Sequence, residues 1–287
     1  MESSKKRNIM PFVFLAPFLI IFVVFMAYPT IYSIAISFMK FKAGHFTFNG
    51  IKNFSFLFTD PLFYKSIKNT IIILIIQVPL QTIFVLIVAS FLNIQNIKFK
   101  GLFRMFTFMP VLIDTVSYSI VFGLFFNAEN GLVNKIIELA GGQGANWLNV
   151  GVLAKAVIII ALTWRWTGYN TVIILGGLQN ISSELYEAAS IDGASKIKQF
   201  FYITIPGVKQ VLMFSVILSV NGTLQLFTEP YLLTAGGPVN ETLTVVQYLY
   251  NTGFRSFNFG VASAGSYVLA IMIGIVTLIQ MKVTKED

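Results

Sequence analysis

The chain has 287 residues, 56% of them hydrophobic and only 11% charged. Soluble domains carry about 25% charged residues, so a globule of this length could not clothe its surface in water, and a mean hydropathy of +0.77 says the same. Composition therefore points to an integral membrane protein and excludes a disordered, collagen-like or disulfide-stapled chain. The net charge of +8 comes from cations at the ends of apolar runs, the pattern of membrane anchoring rather than of nucleic-acid binding. There is no cysteine, and His45 is the single histidine. Disulfides, thiolate sites and Cys nucleophiles are ruled out, and a zinc site would lack ligands.

A helix needs about 20 apolar residues to cross a bilayer. Apolar runs with few or no charges place six such spans near 12–38, 69–93, 104–126, 151–177, 207–229 and 259–281. The first, punctuated by Pro11, Pro17 and Pro29, is too long for the apolar core of a signal peptide, and no small-residue cleavage site precedes Lys40. It reads as an uncleaved span. An even number of spans puts both termini on one side. With the N-terminus inside, the cytoplasmic segments hold the clusters Lys5-Lys6-Arg7, Lys98/Lys100/Arg104, Lys196/Lys198/Lys209 and Lys282/Lys285. They outnumber the outer cations by a small margin, because the outer segment 40–68 alone carries Lys40, Lys42, Lys52, Lys65 and Lys68. The positive-inside rule thus favours both termini in the cytoplasm. The expectation is an all-α polytopic membrane protein, a six-span bundle forming one transmembrane domain over 1–287. Segments 40–68, 127–150 and 230–260 would lie outside, and 94–103 and 178–206 inside.

The inner segment 180–206, NISSELYEAASIDGASKIKQFFYITIP, is more than a loop. Ser182 or Ser183 is a good N-cap, and Glu184 follows in the first turn. Asp192-Gly193 stops the helix, since Gly193 is free to take a positive φ. A second short helix over Ala194–Phe201 leads to Pro206. One reading is an amphipathic connector on the membrane surface. The other is a docking helix, in which Ala188 and Ala189 let a partner approach closely and Glu187 meets a basic group.

These residues resemble a known family. Glu187-Ala188-Ala189, three residues, Gly193, nine residues and then Ile203-Thr204-Ile205-Pro206 look like the EAA motif of the permease subunits of binding-protein-dependent ABC importers. The usual ending is Ile-x-Leu-Pro, so Ile205 is a conservative departure. The longer string from Glu184 to Ala194 is similar to the carbohydrate branch. Asn69-Thr70, Phe103-Arg104, Pro110, Gly131-Leu132-Val133-Asn134, Asn146-Trp147 and Thr234-Ala235-Gly236-Gly237-Pro238 extend the likeness along nearly the whole chain, toward the subunit type of the maltose and glycerol-3-phosphate permeases. The resemblance implies a bacterial cell-membrane permease subunit of an ATP-driven importer for a carbohydrate, expected to be an oligosaccharide. It implies that residues 184–193 form a coupling helix, with Glu184, Glu187, Ala188, Ala189, Asp192, Gly193 and Pro206 as the ATPase-coupling residues. The implied partners are a second permease, two ATPase copies that bind ATP with magnesium, and an extracytoplasmic solute-binding protein. The chain itself has no Gly-Lys dipeptide, hence no Walker A loop. No cofactor is expected on it, no metal site, and no catalytic residue.

Polar groups at membrane depth face a cavity or a partner. Asp114, Arg165 and Glu229 are the ionisable ones, and Asp114 and Arg165 could pair. In span 5, Ser215, Ser219, Gly222 and Gln225 fall on one helical stripe, read either as helix packing through small and hydrogen-bonding residues or as a lining of the translocation path. The substrate-pathway candidates are Ser219, Asn221, Gln225, Trp164, Tyr169 and Asn170. Trp164 and Trp166 flank Arg165 and serve either sugar stacking or packing. A glycerol-3-phosphate or polyol-ester permease is the alternative, with Arg165 as the intramembrane cation. An ion-coupled secondary transporter is disfavoured by the lack of clustered intramembrane carboxylates and repeated halves. A membrane enzyme is disfavoured by the scattering of acids and the single histidine.

Overall fold

The computed structural model describes residues 10–42, 44–94 and 98–285. Lys5, Lys6 and Arg7, on which the orientation reading leans, lie outside the described residues, as does 95–97 of the expected inner loop. Two compact units are present. One is the chain up to Asp60 with Leu249–Leu269, the other Pro61–Tyr248 with the stretch from Ala270 onward.

In the first unit, α1 (Met10–Phe22), a π-helical turn (Val23–Ala27) and α2 (Tyr28–Ser37) follow one another. Large apolar side chains project outward all along them, Phe14 and Phe25 among the most exposed, as suits a lipid-facing helix. An antiparallel hairpin follows, β1 (Met39–Lys42) and β2 (His45–Phe48), with Met39 opposite Phe48 and Lys42 opposite His45. The hairpin is a small addition to an otherwise helical chain. Its signal was present in the alternation of MKFK and HFTF around Gly44, whose φ is +82°. Asn53, on α3 (Lys52–Leu57), holds the hairpin's base by donating to the carbonyls of Ser37 and Met39, both at 2.8 Å.

The second unit begins with α4 (Pro61–Asn93), which starts earlier than the expected 69. Pro61 suits a first position because its missing N–H would have no helical partner. Pro79 lies within α4, which nevertheless continues unbroken. The expected span 104–126 is two helices, α5 (Lys100–Leu112) and α6 (Thr115–Phe125), meeting at 97°. The physical reason is Asp114. Its Oδ2 accepts the N–H groups of Val116 at 2.9 Å and Ser117 at 3.3 Å, so it caps a new helix. The short α7 (Leu132–Leu139) precedes α8 (Gly151–Leu178).

Helices α4 and α8 carry the core. Ile73, Val157, Ile158 and Leu162 pack with Tyr118 and Phe122 at one level. Val85, Ala89, Ile174 and Leu178 do so at another. Beside them α5 runs so close to α8 that a Cβ at Gly168 would fall on the Thr107 carbonyl.

After α8 come α9 (Ser183–Ile191), α10 (Lys196–Gln199), a π-helical turn (Phe200–Thr204) and α11 (Ile205–Gly207). The expected span 207–229 is also interrupted. α12 covers Lys209–Leu224, stands at 71° to the segment before it, and is followed by α13 (Thr228–Thr234). The chain then passes through α14 (Val245–Tyr250) and a π-helical turn (Asn251–Arg255) into α15 (Phe259–Lys285). Four of the described helices are long and apolar enough to cross a membrane, and six spans result when each bent pair is counted as one.

Candidate functional site

Within the second unit, α4, α8, α12 and the turn into α13 enclose a cavity of about 250 Å³. Its walls combine amide and hydroxyl side chains with apolar and aromatic ones. Gln77 and Gln81 sit one turn apart on α4 and are almost fully buried. The Gln77 side-chain amide donates to Gln81 Oε1. Gln81 Nε2 donates to Ser219 Oγ at 3.2 Å, and Thr223 Oγ1 donates to Gln77 Oε1 at 3.0 Å. A buried amide in an apolar helix is costly unless paired, and these bonds pair it across α4 and α12.

Of the residues singled out from sequence, Ser219, Gln225, Tyr169 and Asn170 line this cavity. Asn170 Oδ1 accepts from Ser215 Oγ at 2.6 Å. Tyr169 stands edge-on to Trp166, ring centroids 5.9 Å apart, and Trp166 lines the cavity too. Ser215 and Ser219 bridge helices, while Ser219, Gly222 and Gln225 face open space.

Asn221 and Trp164 do not belong to the lining. Asn221 Oδ1 accepts from Thr277 Oγ1 on α15 at 3.0 Å. Trp164 packs on Tyr118 and Phe122, with centroids 6.2 and 5.5 Å away. Nor do Asp114 and Arg165 pair, since Asp114 is occupied as a helix cap. The Arg165 guanidinium instead lies over the Tyr118 ring, 4.6 Å from its centroid, and 5.7 Å from that of Trp166. The Tyr118 hydroxyl donates to Glu229 Oε1, and Glu229 lines the cavity. Sequence reasoning missed Gln77, Gln81, Thr223 and Tyr118. The two glutamines at i and i+4 in a charge-free run were the available signal.

A second feature is α9. Ser182 Oγ accepts the Glu184 N–H at 3.3 Å. At the other end the Ala194 N–H reaches back to the Ala189 carbonyl at 2.8 Å, and Gly193 has φ +77°. This is the left-handed closure expected of Asp192-Gly193. No residue of α9 is buried. Glu184, Glu187, Ala188 and Asp192 are exposed and Ala189 is half-covered. Leu185 and Ile191 are 55% and 86% exposed, an apolar surface without cover among the described residues. The helix is nonetheless braced from behind. The Tyr186 and Thr204 hydroxyls lie 3.0 Å apart, and Gln199 Nε2 donates to Ser190 Oγ at 2.8 Å. Pro206 lies off α9, on α11. Among the described residues no group of His, Asp or Glu is arranged to hold a metal ion.

The Gly131-Leu132-Val133-Asn134 and Asn146-Trp147 motifs also find physical roles. The Asn134 side chain binds the carbonyls of Ala128 and Ala145, the Ala145 N–H, and Trp147 Nε1, knitting 128–147 together.

The family model described as "Binding-protein-dependent transport system inner membrane component" matches residues 63–283. The lactose transport system permease protein LacF of Rhizobium radiobacter is 40% identical over 292 residues, covering 99% of this chain and 98% of that protein. The arabinooligosaccharides transport system permease protein AraP of Bacillus subtilis (strain 168) is 37% identical over 289 residues, covering 98% and 90%. Among solved structures, a chain of a bacterial ABC transporter involved in the import of the acidic polysaccharide alginate superposes with a TM-score of 0.86. It is 20% identical and covers 98% of this chain and 96% of its own, a likeness of fold. The bent, polytopic helical bundle and these matches agree, and the chain belongs to the inner membrane components of binding-protein-dependent transport systems, as a permease and not an enzyme.

Proposed function

We propose that this permease carries a carbohydrate, an oligosaccharide by the names of its relatives, across the membrane in an ATP-driven importer. The observation that carries the reading is the cavity. Amides and hydroxyls of Gln77, Gln81, Asn170, Ser219 and Gln225 stand beside the rings of Trp166 and Tyr169. Amides bond sugar hydroxyls in either sense, and aromatic faces cover the apolar side of a sugar ring. Ser219, Gln225, Tyr169 and Asn170 are the substrate-pathway residues of this reading. Arg165 is turned onto Tyr118 and does not line the cavity, which weighs against a phosphate-ester substrate.

In the same reading α9 is the coupling helix. Glu184, Glu187, Ala188, Ala189, Asp192 and Gly193 meet a separate ATPase chain that binds ATP with magnesium, and Pro206 begins the return to the membrane. The pore is completed by a second permease, with two ATPase copies on the inner side. A solute-binding protein delivers the sugar from outside, and both termini are cytoplasmic. The exposed apolar surface of α9 and its capped, braced geometry support its reading as a docking helix.

The test is gentle affinity purification from native membranes, followed by reconstitution of what is recovered into proteoliposomes. The expected result is co-purification of a second permease and a P-loop ATPase, with ATP-dependent uptake of a neutral oligosaccharide when the binding protein is added. A chain recovered alone under several detergents, with uptake driven by an ion gradient, would overturn the reading.

A further inference from the structure

We propose that Glu229 is the charge filter of the cavity: a carboxylate held toward the path by Tyr118, which makes this permease favour uncharged saccharides over acidic or phosphorylated ones. The inference rests on the reading of the cavity as the sugar path.

Glu229 is the one Asp, Glu, Lys, Arg or His among the residues that line the cavity. It is 6% exposed and falls in the first turn of α13, where a carboxylate is favoured. Among the described residues Glu229 makes no ion pair. The nearby cation, Arg165, is 9% exposed and does not line the cavity. Its Nε and Nη1 are buried without a hydrogen-bond partner among the described residues. Tyr118 stands between the two charges. Its ring takes the guanidinium, 4.6 Å from the centroid, and its hydroxyl donates to the Glu229 carboxylate. A direct Arg–Glu pair would have neutralised the acid and closed it off. The tyrosine spacer leaves the carboxylate on the wall of the cavity.

The spacer is itself fixed. Tyr118 is buried and meets Phe122 edge-on at 6.0 Å and Trp164 at 6.2 Å, so its hydroxyl has one direction to point. Tyr118 is thus a positioning residue for Glu229. For a ligand in the cavity the consequence is asymmetric. A sugar hydroxyl donates to the carboxylate in a charge-assisted bond, stronger than one to a neutral acceptor. A uronate or phosphate meets a like charge in low dielectric, with no cation on the same wall.

The test uses the assembled importer in nanodiscs without its binding protein, so that the binding protein's own preference does not enter. Direct binding is measured by saturation-transfer NMR for lactose, maltose and arabinobiose, each beside a form bearing a carboxylate at its terminal carbon. Wild type should bind the best neutral member at least about tenfold better than its acidic form. Glu229→Gln should bring that ratio near unity while changing neutral binding by only about threefold. Tyr118→Phe, which keeps the acid and removes its tether, should move the ratio part of the way, and Glu229→Asp should restore it. If Glu229→Gln fails to assemble, Tyr118→Phe carries the test. Equal binding of neutral and acidic forms by wild type, or an unchanged ratio in an intact variant, would overturn the filter and leave the sugar reading standing. Binding of no disaccharide, together with no ATP-dependent uptake of any neutral sugar, would remove the sugar reading and the filter with it.

Discussion

Asn69 Nδ2 donates to the backbone carbonyl of Asn240 at 2.8 Å and to that of Leu243 at 3.1 Å. The next residue works in the opposite sense, since Thr70 Oγ1 accepts the Val245 N–H at 3.1 Å. Asn69-Thr70 and the loop after Thr234 are therefore two sides of one joint. The loop needs the joint because Ala235, Gly236, Val239 and Asn240 all have positive φ. A segment with that backbone cannot satisfy its carbonyls through a regular ladder, and buried backbone groups must find partners elsewhere.

Asn69→Ala should leave both carbonyls short of a donor and cost about 1–3 kcal/mol. The check is thermal unfolding of the purified permease, with a lower midpoint than wild type. Thr70→Ser, which keeps the hydroxyl, should stay close to wild type. An unchanged midpoint for Asn69→Ala would mean that the joint contributes nothing.

Gly193 closes α9 at φ +77°, and a Cβ there would meet no atom within 4 Å. Its constraint is backbone conformation alone. Gly193→Asn should therefore keep most transport, because Asn tolerates the left-handed region, whereas Gly193→Val should lose it while membrane level stays normal. Uptake and ATPase stimulation of the assembled complex separate the two. Normal transport by the valine variant would remove the case for a fixed coupling helix.

Gly168 has the opposite constraint. Its φ is ordinary, but α5 backbone occupies the place of a side chain. Gly168→Ala should push α5 from α8 and cost at least about 1–3 kcal/mol, as overpacking against rigid backbone does. Folded yield after detergent extraction is the readout, and a wild-type yield would contradict the close approach.

Glu241 sits between Lys155 Nζ at 2.8 Å and Lys65 Nζ at 2.9 Å. Hydrogen bonding from Lys155, then from Lys65, lowers its carboxyl from an ordinary 4.5 to about 2. A depressed carboxylate contributes stability that is fully present above its unfolded pKa and is lost as pH falls toward the folded one. The difference in thermal midpoint between wild type and Glu241→Gln should thus be constant above about pH 5 and shrink toward zero on acidification. It should also shrink with salt, because the carboxylate is 40% exposed. A difference that ignores both pH and salt would contradict the ion pairs.

The helical class and the α9 unit were legible because their signals are local. Apolar run length marks a span, and Ser182, Glu184 and Gly193 mark helix ends by their own chemistry. The bends were not legible. Asp114 reads in sequence as a buried charge that needs a cation, and only the fold reveals that its partners are the N–H groups two and three residues on. The cavity was half legible. Ser219, Gln225, Tyr169 and Asn170 stand out as polar residues in apolar spans, and so does Asn221. Helical periodicity alone does not say which neighbour a side chain meets, and Asn221 turns to Thr277 instead. Tyr118 carried no signal, because an aromatic residue among 29 phenylalanines and 11 tyrosines looks like packing.

The most direct measurement concerns α9. The sequence contains no cysteine, so Ala188→Cys places a unique thiol on the exposed face of that helix. The purified, transport-competent complex is treated with a short thiol-reactive cross-linker, and the linked chains are identified by mass spectrometry. The expected partner is a P-loop ATPase subunit, with no such product from Val239→Cys in the exposed loop after Thr234. A complex that transports but links Ala188→Cys only to lipid-facing segments or to a second permease would contradict the assignment of α9 as the site where ATP hydrolysis is coupled to this permease.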